Sequence, residues 1–346
     1  MHRPTRLCVA FGALAFCALT LGATAPSHAA TTPARQIGVS CVRDEAIPAA
    51  QRQLLAAQAL AFLDDLVAGR THQAYLLLSP LARRTASEAA LAGVARGVQA
   101  GGPFSSRQVA HTYLLQASAA GSRVIELPCA PEPGGRASVA AGPDLREAHL
   151  LIALARPGGN AWLFTVWLGS SGGPWAVNGF HYGASRMAGF SGADLWLRAK
   201  AERARGHRYN ATFLYHLAAV LMSSGPYVRL PAEAAFEADR AGFIGPAELV
   251  GRPPLTLTLG AERFVLDEAD IIVIQRPPAL GLSFSLRPPL GATPAQGDQQ
   301  NRRLIDAYIK AHPEWADAFD GLVARTGQGA GTTYLKGQGY LAAPAP

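Results

Sequence analysis

Charge is scarce in this chain. Of its 346 residues, 16% are charged, against about 25% in an average globular domain. Hydrophobic residues make up 49%, so the chain can bury a core, and general disorder is excluded. Heptads with flanking charges are absent, which excludes a coiled coil. The 36 Gly and 25 Pro have no period, which excludes a collagen-like rod. Lysine occurs three times, at Lys200, Lys310 and Lys336. The arginines are scattered apart from the pairs Arg83-Arg84 and Arg302-Arg303. With no basic stripe interleaved with aromatics, nucleic-acid binding is not expected.

Long apolar runs are missing too. The longest, Leu7 to Leu21, has about fifteen residues and falls short of the ~20 needed to span a bilayer. It follows Arg3 and Arg6 and precedes Ser27-His28-Ala29. That order is a basic region, an apolar region and small residues at a cleavage position, which predicts an export signal over 1–29 cut after Ala29. The composition, with arginine far above lysine and abundant alanine, points to a bacterial source. The expected destination is the periplasm or the medium, with no membrane span left after cleavage. Removing two arginines and no acid lowers the formal charge from +7 to +5.

Cysteine is sparse: of four, Cys8 and Cys17 lie in the signal, leaving Cys41 and Cys129. An even count after export favours one disulfide, with two free thiols as the alternative. Metal-ligand spacing is absent as well. No two of His72, His111, His149, His181, His207, His216 and His312 stand in an H-x-H, H-x-x-x-H or H-E-x-x-H relation, so neither metal nor cofactor is expected.

Periodicity divides the remainder. After an extended segment, 30–48, helical spacing runs over 49–68 through Leu54, Leu55, Gln58, Phe62 and Leu66, and Gly69 stops it. Shorter helices fit 71–78 and 86–100. The period then changes to two, with strands expected at 109–115, 123–127, 148–155, 161–168 and 175–182. Gly169-Ser170-Ser171-Gly172-Gly173 matches G-x-S-x-G, but a strand follows it where a nucleophile elbow needs a helix, so it reads as a hairpin loop. Asp64 and Asp65 diverge by about 100° on their helix and read as solvated. A helical hairpin fits 192–241, with helices at 193–205 and 209–222. Glu202, Arg203 and Arg205 are expected on its solvated face. A small α+β unit fits 251–341, with helix over 299–311 and again over 314–325. The tail 342–346 reads as disordered.

The expected class is therefore α+β: helices on a curved antiparallel sheet, then a helical hairpin and a second small α+β unit. Over 49–183 this order resembles the nuclear-transport-factor-like superfamily. The residues that carry the resemblance are Phe62-Leu63-Asp64-Asp65-Leu66, Gly69, Ala74-Tyr75, Leu78-Ser79-Pro80 and Arg83-Arg84, with Gly173-Pro174-Trp175 through Gly179-Phe180-His181 closing the domain. The resemblance implies a sheet curled around a long first helix to make a cone. The stretch 192–341 is similar to exported bacterial proteins of unassigned function. The superfamily contains both enzymes and binding modules, so the fold does not settle the activity.

Its enzymes place an acid or His with a Tyr inside the cone. By that resemblance Tyr113, in phase with His111, together with Trp167 and His181, are the candidate ligand-binding residues. No convergent catalytic set accompanies them. The expectation is a binding or scaffold protein for a small apolar ligand or an envelope protein. The alternative is an isomerase or lyase using His111 and Tyr113.

Overall fold

A computed structural model describes residues 38–119, 124–132, 135–249, 251–274, 279–288, 293–327 and 331–341. The export segment 1–29, the start of the extended segment and the tail 342–346 lie outside them. The described chain divides into two compact units. The first takes the residues up to Pro157, Ala161–Gly183 and Ser224–Pro231; the second takes Gly158–Asn160, Ala184–Ser223 and the residues from Ala232 on. The class is α+β, with a curled antiparallel half-barrel sheet.

In the first unit, strand β1 (Val39–Arg43) is followed by helices α1 (Ala49–Val67), α2 (Thr71–Leu76), α3 (Pro80–Thr85) and α4 (Glu88–Ala100). The alanine-rich α1 needs no side-chain cap and ends at Gly69, whose φ of +71° suits a residue without Cβ. Its buried stripe is Leu55, Ala59, Phe62, Leu63 and Leu66. Leu55, Phe62 and Leu66 lie on the stripe as expected, while Leu54 is half exposed and Ala59 takes the place expected for Gln58. Helices α3 and α4 start at Ser79 and Ser87, whose hydroxyls accept from Ala82 and Ala90 N–H.

Strands β2 (Ser106–Ala117), β3 (Ile125–Glu132), β4 (Gly135–Ala141), β5 (Arg146–Ala155), β6 (Ala161–Ser170) and β7 (Ala176–Met187) follow. The large sheet runs β1-β2-β5-β6-β7, ending on the two-residue strand Phe190–Ser191. Strands β3 and β4 stand apart, joined by Val228–Arg229 into a three-stranded sheet. Leu114, Leu150, Ile152, Phe164 and Val166 pack with the α1 stripe. Tyr113, Leu115 and Leu151, one residue out of phase, pack with Ala137, Val139 and Val228 of the small sheet. Strands β2, β5 and β6 are thus covered on both faces, which is why β5 reads as a nearly continuous apolar run rather than an alternation. Cys41 on β1 and Cys129 on β3 are joined as a disulfide with Cα atoms 5.2 Å apart, linking the large sheet to the small one.

The second unit contains α5 (Gly192–Ala204), α6 (Arg208–Met222) and α7 (Pro231–Ala241, whose Pro belongs to the first unit). A capping box between Ser191 and Asp194 starts α5. Glu202 is buried, contrary to the solvated face expected for it. Its carboxylate accepts from Arg205 Nη1 at 2.7 Å and from Asn210 Nδ2 at 2.9 Å, with His207 Nδ1 also at 2.9 Å. Burial opposes the charge, but these partners outweigh it and hold the carboxyl below its usual range.

Next come β8 (Leu255–Leu259), β9 (Glu262–Ile274), β10 (Ala279–Leu286), α8 (Pro294–Ala311), α9 (Trp315–Ala318), β11 (Gly321–Thr326) and β12 (Thr332–Leu335). They form one sheet in chain order, closed by the short strand Gly339–Tyr340. β11 runs parallel to β10, with α8 as the crossover. The helix expected over 314–325 is corrected here: it stops at Ala318, and Gly321–Thr326 is an interior strand. A short, fully buried apolar run carries no period that separates helix from strand.

Replacing both cysteines, Cys41→Ser with Cys129→Ser, frees a loop of 88 positions. Urea unfolding of the oxidised protein and the double variant should differ by roughly 4 kcal/mol, the chain-entropy value for a loop of that length. A difference under ~1 kcal/mol would contradict a disulfide that restrains the unfolded chain.

Candidate functional site

The four residues singled out in the sequence fall in the first unit, and the pairing of β2, β5 and β6 sets their neighbours. Tyr113 pairs with His149, and His149 with Trp167. All three therefore share one face, the one covered by the small sheet. The α1-facing residues are Leu114, Leu150 and Val166 instead. Tyr113 is fully buried, and Trp167 is 4% exposed. The Trp167 ring stacks on His149 at 5.6 Å and lies 5.3 Å from Tyr227. His181 lies against Gly225, where an added Cβ would come 2.5 Å from the ring. Gly225 itself has a φ of +89°, so both space and backbone demand glycine there. His111, one register step beyond Tyr113, sits with Nδ1 3.2 Å from Asp44 Oδ2. The other Asp44 oxygen accepts from the Thr112 N–H at 2.8 Å. The structure thus gathers Tyr113, Trp167 and His181 in a packed layer and leaves His111 at its margin as the anchor of a turn.

Two more residues belong to that layer: His149, weighed among the histidines but not among the four candidates, and Glu147, which the sequence did not single out. His149 is fully buried; Nε2 donates to Ala140 O at 2.7 Å, and among the described residues Nδ1 has no partner. Burial pushes its pKa down to about 4. Glu147 is buried, with its carboxylate taking N–H bonds from Gly142 at 2.7 Å and Asp144 at 3.0 Å. Burial still raises its pKa; the Trp167 indole favours the charge without reaching hydrogen-bond geometry. These groups position the β4–β5 turn and the layer behind it. The loop at Gly169–Gly173 is the hairpin turn expected: Ser170 Oγ donates to Gly173 O and Ser171 Oγ to Asp144. Asp64 and Asp65 pair with Arg107 and Arg70 at the surface.

The second unit holds a cleft of about 520 Å³, within the range of small-molecule sites. Its shape follows from strand lengths. β8 pairs with β9 only over Glu262–Leu266, so beyond Leu266 β9 keeps β10 on one side and no described strand on the other. The cleft lies along this free stretch, under the middle of α6 and the segment after α7. A β-bulge at Asp267, between Leu266 and Glu268, shifts the register. Leu266 and Ile271 both face the core, so Glu268 and Asp270 are turned away from it; an unbroken alternation would have placed both inside.

Phe213, Phe243, Leu249 and Leu255 supply the apolar wall, and Tyr215, His216, Arg240, Glu268 and Asp270 the polar one. Tyr215 is fixed: its hydroxyl donates to Asp239 Oδ2 at 2.8 Å, and Trp196 Nε1 donates to the same oxygen at 2.6 Å. Its ring lies 5.0 Å from that of Phe243. Arg240 reaches Glu237 at 3.4 Å. Burial raises the Asp270 carboxyl, while its bond from the Ile271 N–H and the charge of His216 act against that. Burial also raises Glu268, and the Asp270 charge adds to it. Among the described residues neither carboxylate has an ion-pair partner within 4 Å, and no group of three His, Cys, Asp or Glu side chains is placed to hold a metal. Such an arrangement can accept hydrogen bonds from a polar head and cover an apolar body.

Comparisons with protein families, with curated proteins and with solved structures give no match to this chain.

His149 yields a pH test. Between pH 6.5 and about 4 the unfolded chain binds a proton at this site that the folded chain refuses. Stability present above pH 6.5 is therefore lost as pH falls, by about 3 kcal/mol in full. His149→Gln retains a donor for Ala140 O. The unfolding free energy of wild type minus that of His149→Gln should drop by about 3 kcal/mol from pH 7 to 4. Glu147 titrates with the opposite sign and cancels in the difference. A difference constant across the range would contradict a neutral buried His149.

Proposed function

We propose that this is an exported ligand-binding protein and that its binding site is the cleft of the second unit. One observation carries the reading: an apolar wall and two carboxylates, Asp270 half-buried and Glu268 exposed at the rim, front the same cleft, and neither has an ion-pair partner among the described residues. Unpaired, desolvated charge is costly unless something pairs with it. Phe213 and Tyr215 belong to a helix and Glu268 and Asp270 to a strand, so the wall is pre-formed and a ligand need not order it.

Export is supported by the Arg3, Arg6 and Leu7–Leu21 pattern ending at Ala29, and by a disulfide of the kind that persists in oxidising compartments. No helix among the described residues is long and apolar enough to cross a membrane. We read the first unit as a nuclear-transport-factor-like domain, a reading supported only by α1 packing against a curled antiparallel sheet. In this reading it is a stapled support. A His111 and Tyr113 proton-transfer site has less in its favour. His111 is engaged with Asp44, and Tyr113 lies in a closed layer.

Native mass spectrometry of protein recovered from an exporting bacterium tests the proposal. Wild type should carry a small ligand, and Phe243→Ala combined with Asp270→Asn should lose it while keeping its fold. Recovery of a ligand equally from both forms would contradict a site in this cleft. The same masses should show a chain beginning at Ala30.

A further inference from the structure

The chemistry of the cleft also indicates what kind of ligand it takes. We infer that it binds an organic cation, with an ammonium or guanidinium head against Glu268 and Asp270 and an apolar body against Phe213, Phe243 and Leu255. This inference rests on the proposed binding role of the cleft.

Three features carry it. The first is charge. Two carboxylates front one wall together with His216 and Arg240, and among the described residues neither basic side chain comes within ion-pair distance of them. Arg240 is paired with Glu237 at 3.4 Å, and Arg203, which stacks over Phe243, leans toward Asp239 at 3.7 Å. Arg325 acts on Glu268 only through its field, without an ion pair. The tyrosine of the cleft is spent on Asp239. A positive head would give Glu268 and Asp270 the close ion-pair partner that no described side chain supplies.

The second is spacing. Glu268 and Asp270 are alternate residues of one strand, so they leave it on the same side about 7 Å apart. That separation suits a head with several N–H donors spread over an ångström or two. A metal ion needs its ligands around one point, and the described side chains offer no such group.

The third is the apolar wall. Phe213 is buried in α6, and Phe243, in the segment after α7, packs on Tyr215 with ring centroids 5.0 Å apart, so aromatic carbon flanks the carboxylates. A bare inorganic cation or a polyamine without an apolar body would leave that wall wet. An amine on an aromatic or branched aliphatic body fills both halves. An organic anion would meet two like charges, and a neutral body would cover the half-buried Asp270 without pairing it.

Three probes with one body and different heads separate the possibilities: 2-phenylethylammonium, 2-phenylethanol and 3-phenylpropionate. Their dissociation constants for the full-length exported protein are measured at pH 7 by NMR titration. The ammonium should bind about tenfold tighter than the alcohol, and the carboxylate weakest. Raising NaCl to about 0.5 M should shrink the advantage of the ammonium and leave the alcohol unchanged. In Glu268→Gln with Asp270→Asn the ammonium and the alcohol should bind equally. Both positions reach solvent, so these isosteric changes should leave the fold intact, and the salt titration reads the same term in wild type. Phe243→Ala should weaken both probes by the same factor. Equal binding of alcohol and ammonium to wild type overturns the cation inference and leaves the cleft as a binding site. Tightest binding of the carboxylate reverses its sign. No binding of any probe overturns the cleft reading itself.

Discussion

Two-sided burial of the large sheet is the constraint on which the first unit depends. β5 and β6 must place apolar side chains toward α1 on one face and toward β4 and Val228–Arg229 on the other. Every polar side chain in those strands is then obliged to find an internal partner or remain neutral. His149 does the second, Glu147 takes two backbone N–H bonds, and Thr165 donates to Ser224 O at 2.8 Å. The Tyr113, Trp167 and His181 rings that suggest a ligand platform on paper are the filling of this layer. The disulfide Cys41–Cys129 holds the layer shut at its edge, where β1 alone would be a weakly attached strand.

The second unit follows a different rule. Its sheet is built on a long central strand, β9, whose neighbour β8 is eight residues shorter. A strand edge left over in this way is normally shielded by charge, a bulge or a covering loop. Here all three occur together: Asp267, Glu268 and Asp270 supply the charge, the bulge falls at Asp267, and the segment after α7 covers the gap. These are the devices that keep an edge from pairing with another chain, and a cleft with acidic and apolar walls results. The same bulge that blunts the edge also points Glu268 and Asp270 away from the core.

Much of the architecture was legible from residues. The run of helices followed by antiparallel strands, the stop at Gly69 and the pairing of Cys41 with Cys129 all show in the chain. The start of α8 at Pro294 was legible too, in Thr293-Pro294 with Gln296 as a capping box, although the period alone pointed to Gln299. The strand at Gly321–Thr326 was not, since burial on both faces removes the period. Strand β4 and the short strand at Val228–Arg229 were missed for a related reason: their pairing is between distant segments. The buried state of Glu202 depends on Asn210 and His207, which meet it only after α5 turns at Gly206. The cleft was least legible of all. Its shape comes from the length difference between two strands and from a one-residue bulge, and neither leaves a motif. The tetrad Asp267-Glu268-Ala269-Asp270 within an otherwise apolar strand was the available signal.

The account turns on which apolar surface a small molecule can enter. Amide chemical shifts of the isotopically labelled protein, followed while benzyl alcohol is added as a neutral apolar probe, answer that directly. The account predicts saturable shifts at Phe243, Leu255 and Ala269, with Leu150, Phe164 and Val166 beneath α1 unmoved. Saturable shifts beneath α1, with the residues around Ala269 silent, would place the receptive site in the first unit and contradict it.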